Sequence, residues 1–110
     1  MYGALLQDRE RAQARAREAL RLEVRALLRQ ALAALVPRER VLVFGSLTKQ
    51  GAFRHGSDVD IAFERVPAAW SPYELASRIE EVVKRPVDLL ELSTCRFEET
   101  LRREGEWWTA

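Results

Sequence analysis

Two aspartates spaced two apart in an apolar run, Asp58-Val59-Asp60-Ile61-Ala62-Phe63, constrain this chain more than any other feature. Side chains on a strand alternate between faces, so Asp58 and Asp60 share one face and Val59 and Ile61 the other. One face can pack on a core while the other carries two like charges, which repel unless a cation sits between them. Upstream, Val41-Leu42-Val43-Phe44 is short, apolar and dense in β-formers, as a covered strand is. Gly45-Ser46 ends that run with a residue free of Cβ and one that favours helix N-caps. Residues 41–64 thus read as strand, glycine-rich turn and acidic strand. Hard oxygen ligands of this kind suit Mg²⁺, which takes one or two carboxylates and completes its shell with water and phosphate. A Gly-Ser turn can offer backbone N–H groups to that phosphate, especially where a helix starts.

The residues before this stretch predict a long helix. Leu5 to about Leu35 lacks Gly and Pro and is crowded with Ala, Leu, Arg and Glu, with a bend or break expected near Ala19. In its second half Leu20, Val24, Leu27, Leu28, Ala31 and Leu35 follow the 3.6-residue period and should cover a sheet. Arg17, Arg21, Arg25 and Arg29 recur every four residues as a stripe. Such a stripe is a solvated face with Glu partners, a contact for RNA, or a contact for an acidic partner; no aromatic residues accompany it, which disfavours RNA. The weakly apolar Ala/Arg half of the helix suits a surface for another protein. Pro37 ends the helix.

Between the turn and the acidic strand, Lys49 and Arg54 are either phosphate-neutralising cations or plain loop charges, and Gly51 and Gly56 read as turn residues needing unusual φ. Ser71-Pro72-Tyr73-Glu74 combines an N-cap, a proline at the first helical position and a capping-box glutamate; the helix it opens buries Leu75, Ile79, Val82 and Val83 and closes at Arg85-Pro86. A third strand follows over Pro86–Leu92. Asp88 lies there among apolar neighbours, an expensive position unless a metal or donor receives it, and Glu91 competes with it as a third carboxylate. Ser93 or Thr94 should cap a last helix over Arg96–Glu104, with Phe97 and Leu101 inward and Gly105 as its stop. One of Trp107 and Trp108 should pack on the core, or the pair marks an interface.

Helix, strand, strand, helix, strand, helix makes an α/β (α+β) chain with helices on a small mixed sheet. At 110 residues we expect one domain, 1–110, with the N-terminal helix over 1–36 and the core over 41–110. Hydrophobic residues at 47% and charged residues at 32% describe a soluble globular chain, and no apolar run reaches the length of a membrane span. The charge-rich start does not read as a signal peptide. A single cysteine, Cys95, excludes an internal disulfide and fits a cytoplasmic location. His55 is the only histidine, which argues against histidine-based zinc sites and Ser-His or Cys-His hydrolases. Charge is uneven, +4 over residues 1–40 and −3 over the remainder, and the acidic part suits a site that collects divalent metal.

Gly45-Ser46 followed by Asp58-x-Asp60 resembles the signature of the DNA polymerase β-like nucleotidyltransferase superfamily. More closely, the chain is similar to the minimal nucleotidyltransferase (MNT) domains that pair with HEPN-domain proteins in toxin–antitoxin modules. The resemblance runs from about Val41 to the C-terminus, with Arg85-Pro86-Val87-Asp88-Leu89-Leu90-Glu91-Leu92 in the place of the family's third acidic strand. Eleven residues, Leu47 to Ser57, separate the Gly-Ser from the first Asp, where the family commonly has ten; the extra one lengthens the turn around Gly51. The resemblance implies the polymerase β-type fold, with Asp58, Asp60 and Asp88 as catalytic and metal-binding residues for two Mg²⁺ ions. It favours Asp88 over Glu91, because the family's acid starts a V-D-L-like strand. Gly45, Ser46, Lys49 and Ser57 are the expected phosphate contacts. The implied activity is transfer of AMP from ATP to a hydroxyl of a HEPN toxin in a hetero-oligomer. A non-catalytic antitoxin that masks its partner, and a nucleotidyltransferase acting on RNA through the arginine stripe, are the alternatives.

Overall fold

The computed structural model describes residues 2–110. The chain runs α1 (Tyr2–Leu35), β1 (Arg40–Phe44), a 3-10 turn (Gly45–Thr48), β2 (Val59–Phe63), α2 (Pro72–Val83), β3 (Val87–Glu91), a second 3-10 turn (Leu92–Thr94), α3 (Glu98–Glu104) and β4 (Glu106–Thr109). The four strands form one mixed sheet in the order β3-β2-β1-β4. β1 is antiparallel to both β2 and β4, and β2 is parallel to β3, with α2 as the crossover between them. This is the small mixed sheet with flanking helices and long N-terminal helix expected from the sequence.

Strand alternation divides the apolar residues between two faces. Val41 and Val43 of β1, Val59, Ile61 and Phe63 of β2, Val87 of β3 and Trp108 of β4 belong to the main core. α1 adds Val24, Leu28, Ala31 and Leu32 to it, and α2 adds Leu75, Ile79 and Val83. Leu20, Leu27 and Leu35 pack at its edge, so the apolar face of α1 lies where its periodicity placed it. The opposite sheet face has a smaller cluster of Leu42, Ala62 and Leu92, flanked by Phe44, Leu90, Leu101 and Trp107.

Several expectations need correction. α1 continues unbroken through Ala19, because Ala, Leu, Arg and Glu supply helix propensity throughout. Residues 3–16 are exposed, and the longest dimension of the molecule is 59 Å. α3 starts two residues later than the sequence suggests, with Phe97 in place of Ser93 or Thr94 at its N-cap position and no side-chain cap. Phe97 therefore lies outside the helical face and is 64% exposed, while Leu101 does pack inward. Gly51 has φ +84°, but Gly56 is not in the left-handed region. The sequence reading also lacked β4. Of its two tryptophans, Trp108 is 5% exposed in the main core, and Trp107 lies half-buried on the other face. α2 begins as expected: Pro72 is its first residue, and Ser71 Oγ accepts the Glu74 N–H at 3.1 Å.

Candidate active site

The face of the sheet away from α1 and α2 carries the acids. Phe44 of β1 is the register partner of Asp60, and Asp60 is in turn the partner of Asp88. Phe44, Asp60 and Asp88 thus form a row across three adjacent strands. Asp58 directly precedes β2, two residues from Asp60, and is exposed. The structure therefore brings together the three carboxylates singled out from the sequence. Glu91 does not join them. It lies in β3 at the odd alternation with Val87, and its Oε1 accepts the Val66 N–H at 2.8 Å, tying down the segment after β2.

Asp60 is the centre of the electrostatics. Burial, then the charge of Asp88, then that of Asp58 push its carboxyl up to about 6. Among the described residues, no hydrogen-bond donor or paired cation counters that rise. A cation would relieve both the burial and the repulsion, so the donor set fits a hard divalent ion. Among the described residues there is no group of three or more His, Cys, Asp or Glu that could hold a metal ion.

Gly45 is shaped by this carboxylate. Its φ of +75° is in the left-handed region, and a Cβ there would land on Asp60 Oδ2. The glycine is thus required twice, by backbone conformation and by close approach. The chain then turns through Ser46, Leu47 and Thr48. Leu47 is buried, Thr48 Oγ1 donates to Gly45 O at 2.7 Å, and Lys49 N–H donates to Ser46 O at 3.1 Å. Lys49 and Arg54 have exposed side chains on the loop. Ser57 Oγ accepts the Arg54 N–H at 2.9 Å, so its oxygen already closes the loop before Asp58.

Three arginines hold this loop, Arg21, Arg25 and Arg85. Arg21 and Arg25 of α1 both donate to Leu47 O, at 3.0 and 3.2 Å. Arg21 also pairs with Glu18, Arg25 pairs with Glu106 through both nitrogens, and Arg29 lies 3.9 Å over the Trp108 ring. Three of the four stripe arginines, Arg21, Arg25 and Arg29, are therefore engaged within the molecule. At the other end of the loop, Arg85 Nη1 donates to Ser57 O at 2.8 Å and lies near the carbonyls of His55 and Arg54, at 3.3 and 3.4 Å. Phe53, buried in the core 4.8 Å from the Arg85 guanidinium, anchors the middle. Spacing along one helix could reveal the stripe but not its targets, which lie more than twenty residues away.

No protein-family model matches the sequence, and comparison with curated proteins finds no match. Among solved structures the chain is similar to a crystal structure of a toxin–antitoxin with AMP-PNP. That match has 23% identity and a TM-score of 0.58, over 77% of this chain and 73% of the other. A crystal structure of the toxin–antitoxin MntA-HepT matches at 21% identity and a TM-score of 0.49, over 74% of this chain and 66% of the other. The first likeness establishes a shared fold, in agreement with the one implied by the Gly-Ser and Asp-x-Asp motifs. Among the described residues, no helix is long and apolar enough to cross a membrane.

Proposed function

We propose that this chain is a Mg²⁺-dependent nucleotidyltransferase of the MNT type that transfers AMP from ATP to a hydroxyl of a HEPN-domain toxin and acts as its antitoxin. The observation that carries this reading is the register of Asp60 against Asp88, with Asp58 two residues away and Gly45 packed on the Asp60 carboxylate. The toxin–antitoxin of similar fold was crystallised with AMP-PNP, which supports a nucleotide as the ligand of such a site.

In this reading Asp58 and Asp60 hold the metal that accompanies the triphosphate, and Asp88 holds a second. Bound Mg²⁺ supplies charge stabilisation for the phosphoryl oxygens and for the leaving pyrophosphate. Gly45 and Ser46 lie against the β- and γ-phosphates, with Lys49 and Ser57 at the margin of the same loop. The acceptor oxygen attacks the α-phosphorus in line, the bond from that phosphorus to the bridging oxygen of the β-phosphate breaks, and pyrophosphate leaves. The hydroxyl proton passes to Asp88, an exposed carboxylate that is the register partner of Asp60.

The partner presents the acceptor in this reading, and the active form is a hetero-oligomer in the cytoplasm. The test is intact mass spectrometry of the co-expressed partner after incubation with this protein, Mg²⁺ and ATP, beside a D58N/D60N control. Mass increments of AMP units that the control lacks are expected. A partner that binds tightly yet stays unmodified would overturn catalysis and leave a masking antitoxin.

A further inference from the structure

The turn that follows Gly45 is held from outside by two guanidiniums on one carbonyl. Arg21 and Arg25 lie one helical turn apart on α1, and both donate to Leu47 O. Each is itself fixed. Arg21 forks onto Glu18 through Nε and Nη2 at 2.9 and 2.7 Å, and Arg25 forks onto Glu106 of β4 at 3.1 and 2.9 Å. Their side chains are only 14% and 19% exposed.

One donor would satisfy that carbonyl, and α1 is already anchored by Val24, Leu28, Ala31 and Leu32. Two ordered arginine side chains cost more conformational entropy than this carbonyl needs for its hydrogen bond alone. Their shared target is two residues from Gly45, whose backbone must stay pressed on the Asp60 carboxylate. A cation is also favourable at the carbonyl end of a helical turn.

We infer that Arg21 and Arg25 are positioning residues for nucleotide binding: they hold the Gly45–Thr48 turn by its carbonyl end and so keep Gly45 and Ser46 in register with Asp60. This rests on the nucleotide reading of the site. It also makes α1 part of the active site's framework rather than a separate appendage.

The test compares the full-length wild type with R21Q, R21Q/R25Q and R21K/R25K. Three properties are measured: calorimetric affinity for Mg-ATP, urea stability, and amide exchange at Leu47, Thr48 and Lys49. In the double Gln variant we expect Mg-ATP affinity to fall about tenfold, equivalent to about 1.4 kcal/mol. Exchange in the turn should quicken beyond any change in the core strands, and the double Lys variant should recover much of the affinity. Should the double Gln variant not fold, R21Q, which leaves the Arg25–Glu106 pair intact, carries the same comparison. Unchanged affinity and unchanged turn exchange would overturn the inference. If the wild type does not bind Mg-ATP, the nucleotide reading fails and turn exchange alone decides: faster exchange upholds the clamp, and unchanged exchange removes it.

Discussion

Gly45 and Asp60 are built around each other: the glycine backbone, at φ +75°, occupies the space a Cβ would need beside Asp60 Oδ2. The carboxylate is thereby half-buried against a backbone instead of standing free in solvent.

A methyl at position 45 should therefore do two things. It strains the left-handed backbone by about 1–2 kcal/mol. It also pushes the flexible end of Asp60 aside, which relieves the clash but moves a proposed metal ligand. Gly45→Ala is expected to lose Mg-ATP binding while losing only about 1–2 kcal/mol in urea unfolding. Calorimetry and denaturation on the same preparation separate the two effects. Wild-type affinity in this variant would mean that Asp60 does not act from the position the glycine gives it.

Asp60 should also set a pH dependence of the metal-free protein. Its folded pKa lies above its unfolded value, raised first by burial and then by Asp88 and Asp58. The stability tied to keeping the proton is complete below the ordinary carboxylate range and is lost as pH rises through about 6. D60N removes that loss, so it should be more stable than wild type by roughly 1 kcal/mol at about pH 7.5, a figure reduced for partial exposure, and no more stable at about pH 4. Glu18, Glu64 and Glu106 have lowered pKa values from their arginine partners and act in the opposite direction, but they are common to both proteins and cancel in the comparison. Equal stability of the two at both pH values would remove Asp60 as the strained group.

The two adjacent tryptophans should differ in cost. Trp108 is buried in the main core with Arg29 and Arg25 at 3.9 and 5.1 Å from its ring. Trp107 is half-buried on the opposite face, beside Arg40 at 4.4 Å. Trp108→Ala should cost about 3–5 kcal/mol in urea unfolding, and Trp107→Ala roughly half of that. Equal costs would contradict the assignment of the two side chains to opposite faces of β4.

This strand also marks where sequence reading stops. β1, β2, α2 and β3 were legible because each carries its own signal: alternation, a Gly-Ser break, a Ser-Pro cap. β4 is only four residues after Gly105, and what makes it a strand is pairing with β1, more than sixty residues earlier. Phe97 is inward only on a helix that starts at Arg96, and α3 starts at Glu98. The three acids were legible from spacing along two strands, and their meeting depends on Asp60 and Asp88 falling opposite each other in a parallel pair. The arginine stripe was visible as a four-residue period. Its destination, one carbonyl in the turn after β1, is a property of the packed fold and left no mark in local sequence.

Arg85 supplies the last prediction. Its Nη1 reaches the carbonyls of Arg54, His55 and Ser57, the residues that lead directly into Asp58, and its guanidinium lies over buried Phe53. A planar guanidinium can serve several carbonyls and an aromatic face together, which a lysine ammonium cannot do in the same geometry. Arg85→Lys keeps the charge, so a purely electrostatic contribution would survive it. If Arg85 instead fixes the path of the chain into Asp58, the Lys variant should weaken Mg-ATP binding several-fold and speed exchange of the Ser57 and Asp58 amides. Because the contacts are largely at the surface, stability should change by only about 1 kcal/mol. Unchanged affinity would mean that β2 alone sets Asp58, and that the longer loop between Ser46 and Asp58 needs no external support.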